Sequence, residues 1–184
     1  RYAQLAGDRA LELLAPDEAL RWYASALEAI ESDITQGGRT RIELLVGLGT
    51  AQRQVGMTDF RATLLRAARL ADEDDQVDLL VRAALSMNRG MMSGTHRVDE
   101  ERIAIIDRAL ERLGPAPSTG RAQLLAFASL ERIFGRPLEE RLALSLEAVE
   151  VARACGDVET LISTFAFSSD GIFAPSTAEL RRSW

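Results

Sequence analysis

Four alanines constrain the fold of this chain more than any other feature. Ala26, Ala68, Ala109 and Ala152 stand 42, 41 and 43 residues apart, and each follows a bulky apolar residue by three: Tyr23, Leu65, Ile106 and Val149. Residues three apart share one face of an α-helix. A small residue there lets two helix backbones approach, and its large neighbour fills the space beside it. Such a pair recurring about every 42 residues predicts a repeated two-helix unit, which must bury one face on the next unit. Composition agrees. Ala, Leu, Arg and Glu dominate, aromatics reach only 5%, and these abundant residues lose little rotamer freedom in helices.

Breaker residues set the boundaries. The pattern predicts helices over about 3–14, from Pro16 onward, and over about 40–55, with Gly56 as a stop. Thr58 or Asp59 caps the next, "FRATLLRAARLA". The acidic run "DEDD", Asp72 to Asp75, reads as a cap on a helix over about 76–88. Further helices are expected over about 98–113, 119–134, 138–154 and 158–168. "STAE", Ser176 to Glu179, is a capping-box pattern that starts a last helix. The expected architecture is one all-α domain of antiparallel hairpins at about 1–34, 38–72, 75–114 and 118–155, with a partial fifth at 157–184. The chain opens at Arg1 inside a helical pattern and reads as a piece of a longer protein.

Charge and composition narrow the function classes. The net charge is −6 and no cluster of basic residues occurs, which argues against a phosphate-backbone grip. Cys155 is the single cysteine and fits a reducing cytoplasm. No apolar run approaches the roughly 20 residues of a membrane span. There is no G-x-x-x-x-G-K-[ST] loop, and "GLG" at 47–49 reads as close helix packing. His96 is the only histidine, so no histidine-pair metal site or nucleophile–base pair is apparent. No cofactor, metal ion or catalytic residue is expected.

Several positions are candidates for contact with a partner or ligand. "MNRGMMSGTHRVDEE", 87–101, joins the two helices of the third hairpin and is longer than the corresponding turns. Its Met91 and Met92, with Met87, offer an adaptable apolar surface or core packing at a helix end. His96 and Arg97 lie in the same loop. Trp22 neighbours Tyr23 and so points to a different face. It either anchors a partner or packs on a neighbouring helix. Phe165, Phe167, Ile172 and Phe173 form an apolar cluster near the C-terminal end. Exposed there, they would favour homodimerisation.

Gly7, Ala19, Tyr23 and Ala26 stand at the small, small, aromatic and small positions of the tetratricopeptide motif, and Gly49, Leu65 and Ala68 keep part of it in the second hairpin. The first two hairpins therefore resemble tetratricopeptide repeats, although the period exceeds their usual 34 residues. The resemblance implies a right-handed α-solenoid whose concave face is lined by the odd-numbered helices. The phrases "AGDRALELLAPDEALRWYASALE", "RIELLVGLGTAQRQVG", "VDEERIAIIDRALERLG", "RAQLLAFASLE" and "LEAVEVARACGD" are similar to the helical-repeat region of large actinobacterial STAND-type AAA ATPase regulators. Some of those carry a cyclase-like domain and others a LuxR-type helix-turn-helix. The similarity implies a non-catalytic sensor or interaction arm that docks a protein partner or the adjacent ATPase domain. A small-molecule effector domain, with its pocket near the 87–101 loop, is the second expectation.

Overall fold

The computed structural model describes residues 2–31, 38–88 and 98–184. Regular structure among them is helical: α1 (Tyr2–Glu12), α2 (Pro16–Glu31), α3 (Gly38–Gln54), α4 (Phe60–Glu73), α5 (Val77–Ser86), α6 (Glu100–Leu113), α7 (Thr119–Glu131), α8 (Leu138–Cys155), α9 (Val158–Gly171) and α10 (Ala178–Ser183), with a 3-10 turn at Pro175–Thr177. The chain divides into two compact units, Arg1–Met87 and Asn88–Trp184. The boundary falls between α5 and α6, inside the third expected hairpin.

Helix starts follow local chemistry. Pro16 opens α2 with Asp17 and Glu18 in its first turn, where a missing N–H costs nothing and negative charge meets the helix dipole. The side chains of Asp99, Ser118 and Asp157 accept the backbone N–H groups of Arg102, Arg121 and Thr160 at 3.1, 3.2 and 2.8 Å. Each satisfies a donor that the helix cannot. Gly156 ends α8 in the left-handed region at φ 68°.

Three expected caps take another form. Asp59 precedes α4 but already has helical backbone angles and makes no side-chain capping bond. The "DEDD" run closes α4 instead of capping α5. Asp72 and Glu73 are its last residues, the Asp74 N–H bonds back to Leu70, Asp75 turns at φ 57°, and Gln76 takes the position before α5. Ser176 lies within the 3-10 turn, so Thr177 precedes α10. Its hydroxyl turns back to the carbonyls of Ile172 and Ala174 at 2.6 and 2.9 Å and caps nothing.

In the N-terminal unit α3 is the central helix. Its buried residues Ile42, Leu44, Leu45, Val46, Gly47, Gly49 and Ala51 surround most of its circumference, as expected of a helix covered on several sides. It packs on α1, α2, α4 and α5. Tyr23 of α2 is the joint. Its ring lies against Gly7 of α1, where an added Cβ would sit 2.9 Å from ring carbons, and against Gly47 of α3, where a Cβ would collide with the ring outright. Gly49 is likewise closed by Leu64, 2.6 Å from an added Cβ. The "GLG" stretch thus serves close packing.

The C-terminal unit has α7 at its centre, with Leu124 to Leu130 buried without a break. It packs on α6, α8 and α9. Several contacts are polar. Arg102 of α6, 2% exposed, donates through Nη1 to both carboxylate oxygens of Glu131 of α7, at 2.9 Å each. Arg132 pairs with Asp107 at 2.6 and 2.8 Å and with Glu140 at 3.2 Å. The Ser145 hydroxyl donates to Ser129 at 2.8 Å, whose own hydroxyl donates to the Arg141 carbonyl at 3.0 Å. Arg141 donates to the carbonyl of Gly171. The buried face of α9 is Thr160, Thr164, Ser168 and Gly171, small residues that permit close approach to α7. A Cβ on Gly171 would lie 2.9 Å from the backbone nitrogen of Leu130.

Candidate docking cleft

A cleft of about 570 Å³ crosses the N-terminal unit. Asp8, Leu11 and Glu12 of α1 line one edge, and Arg82, Leu85 and Ser86 of α5 the other. Val46, Gly47 and Thr50 of α3 form the floor with the edge of Tyr23. Helical periodicity explains the grouping: positions 46 and 50, like 8, 11 and 12 or 82, 85 and 86, share one helix face. A smaller hollow of about 270 Å³ lies on another face of α3, between Leu27 of α2, Arg41, Leu45 and Leu48 of α3, and Thr63 and Arg66 of α4.

The polar groups of the cleft are unequally satisfied. The Tyr23 hydroxyl donates to Asp8 Oδ1 at 2.6 Å. Burial pushes the phenol well above its ordinary value, the bond to Asp8 and that carboxylate's charge push it further, and Arg82 pulls it back. Glu12 is paired with Arg9 at 2.8 Å, and the Thr50 hydroxyl donates to the Val46 carbonyl at 2.8 Å. Arg82 is exposed. It acts on Tyr23 through its charge, and among the described residues it has no hydrogen bond or ion pair.

The Tyr23 shift sets a pH dependence. A raised folded pKa means that the native state holds the proton more tightly than the unfolded chain. The associated stability is complete below the unfolded value of about 10. It drains away as pH rises from there toward the folded value. Urea midpoints should therefore be level below pH 9 and fall above pH 10, and Tyr23→Phe should remove that fall. A Tyr23→Phe midpoint that declines as steeply as the wild type's would contradict the assignment.

The repeat positions Gly7, Ala19, Tyr23, Ala26, Gly49, Leu65, Ala68, Ile106, Ala109, Val149 and Ala152 are all buried. Trp22 is 46% exposed and does not line the cleft. Met87 is fully buried at the end of α5. Met91, Met92, His96 and Arg97 lie outside the described residues. The aromatic cluster does not form one exposed face. Ile172 is buried, Phe167 packs on Leu125, Ala126 and Ala148, Phe165 stacks on Trp184 with ring centroids 6.4 Å apart, and Phe173 is exposed beneath Arg181. Among the described residues no group of three or more His, Cys, Asp or Glu could hold a metal ion, and no helix is long and apolar enough to cross a membrane.

Sequence reasoning did not single out Asp8, Thr50, Arg82, Leu85 or Ser86. The available signal was a shared face on alternate helices, and it needs the packing order to be recognised. No family model, curated protein or solved structure matches the chain.

Proposed function

We propose that this chain is a non-catalytic interaction module whose α1–α3–α5 cleft holds an extended segment of a protein partner. The observation that carries the reading is the cleft itself: three alternate helices present one continuous hollow with apolar and polar groups side by side and a guanidinium, Arg82, that has no ion pair among the described residues. Stacking of such helix pairs into a right-handed solenoid would place the cleft on a concave side. The sequence phrases quoted above support a place in a multidomain regulator built around a STAND-type ATPase. There the arm would report an input by favouring one docked arrangement, and a partner shifts that balance only by binding the two arrangements unequally. The adjacent ATPase domain is itself an eligible source of the segment.

A phage-displayed nonapeptide library selected on the purified chain tests the reading. Thr50 is half-buried and lies on the cleft floor, so Thr50→Arg fills the hollow without entering the core. Binding of the selected peptides should fall at least tenfold in Thr50→Arg and persist in Trp22→Ala, with helicity unchanged in both. Peptides that lose binding only in Trp22→Ala would move the docking surface to α2, and selection of no peptide would refute docking.

A further inference from the structure

The cleft's unmatched charge specifies what it reads. Two guanidinium groups on or beside its α3–α5 side lack a counterion among the described residues. Arg82 lines the α5 edge, exposed. Arg53 follows Val46 by seven residues and Thr50 by three, so it continues the floor face of α3 one turn further on. Arg53 is half-buried, and its Nε is buried without a hydrogen-bond partner. Burial alone lowers the Arg53 pKa, and no carboxylate raises it. Three other buried or half-buried arginines pair with carboxylates, Arg102 with Glu131, Arg132 with Asp107 and Glu140, and Arg121 with Glu147 at 2.5 Å, and the buried Arg141 donates to the Gly171 carbonyl. A partly buried cation without a partner is costly, and an incoming anion would remove that cost.

The rest of the cleft limits the anion. Asp8 and Glu12 hold the α1 edge negative, although Tyr23 and Arg9 engage them. One negative charge therefore balances the site better than the nearly two of a phosphate. Leu11, Val46 and Leu85 give apolar surface between the poles. We infer that the cleft reads an acidic side chain of the docked segment, its carboxylate held by Arg82 with Arg53 beside it, and an apolar neighbour seated on Leu11, Val46 and Leu85. This rests on the docking reading above.

The test uses the peptides selected on the full chain, resynthesised with Glu, Gln, Arg or phosphoserine at the commonest acidic position. A charge-assisted bond is worth roughly 1.5–3 kcal/mol, about tenfold or more in affinity. Glu→Gln in the peptide should weaken wild-type binding about tenfold and leave binding to Arg82→Gln almost unchanged. Arg82→Glu should prefer the peptide carrying Arg at that position, a reversal that a fold defect cannot produce. Cleft-dependent peptides with no acidic position would overturn this inference and leave docking standing. Tighter binding of the phosphoserine peptide would overturn the carboxylate assignment. Absence of any peptide sensitive to Thr50→Arg would remove both.

Discussion

Replacing Glu131 by alanine is expected to destabilise the C-terminal unit by about 3–5 kcal/mol, the range for removing one partner of a buried ion pair. Arg102 is the largest fully buried side chain among the described residues, and Glu131 holds it through both carboxylate oxygens. Asp99, the other acid near it, is 3.6 Å from the guanidinium and also caps α6. Without Glu131 the charge stays desolvated with one distant counterion. The pair is not the most stable way to fill this space, since apolar residues of similar volume often do as well. Arg102→Met in the Glu131→Ala background should therefore recover more than half of the loss, although Arg102→Met removes a native contact. Chemical denaturation of the four proteins in this double-mutant cycle checks both statements. A loss below 1 kcal/mol for Glu131→Ala would show that Arg102 reaches water or Asp99 in the native state.

Tyr23→Ala is expected to cost the N-terminal unit a similar amount, about 3–5 kcal/mol, by analogy with other large aromatic truncations. The Tyr23 ring is 1% exposed, and the glycines on either side of it have no side chain that could fill the cavity. Helices α1, α2 and α3 all meet at this ring, so one deletion loosens three contacts. Tyr23→Phe retains the ring and loses the bond to Asp8, for which about 1 kcal/mol is expected. Thermal melts of the two variants should differ accordingly. Equal melting temperatures would mean that the hydroxyl, not the ring, holds the joint.

These two sites mark the limit of what the sequence made legible. The Tyr23 joint could be read because a large residue three positions before a small one implies close helix packing, and glycines in α1 and α3 supplied the space. The helix order could be read for the same reason: apolar periodicity and Gly, Pro, Asp or Ser punctuation are local signals. The Arg102–Glu131 pair could not. Both residues sit in charged stretches, "DEERI" and "SLERI", that look solvated until α6 is laid on α7. Helix α9 defeats a hydrophobicity reading outright. Its interior face is Thr160, Thr164, Ser168 and Gly171, while Val158 and Ile162 are exposed, because hydroxyls packed on α7 and α8 tolerate an approach that large apolar residues would block. "STAE" failed as a capping box because the chain makes a 3-10 turn first.

The cleft was hidden for a related reason. Leu11, Val46, Leu85 and Ser86 are ordinary residues for a helix face, and nothing local distinguishes Arg53 and Arg82 from the other arginines. What sets them apart is their place on or beside the cleft, which exists only in three dimensions. The 87–101 segment attracted attention because it is locally unusual, with its methionines, glycines and single histidine. Local oddity and three-dimensional opportunity are different signals, and here they point to different parts of the chain.

Hydrogen–deuterium exchange of the chain with and without a selected peptide locates the docking surface. Docking in the cleft slows exchange at Asp8–Glu12, Val46–Thr50 and Arg82–Ser86, and leaves exchange in α7, α8 and α9 unchanged. Protection confined to the C-terminal unit, or to the stretch of α2 around Trp22 without α3 and α5, would contradict it.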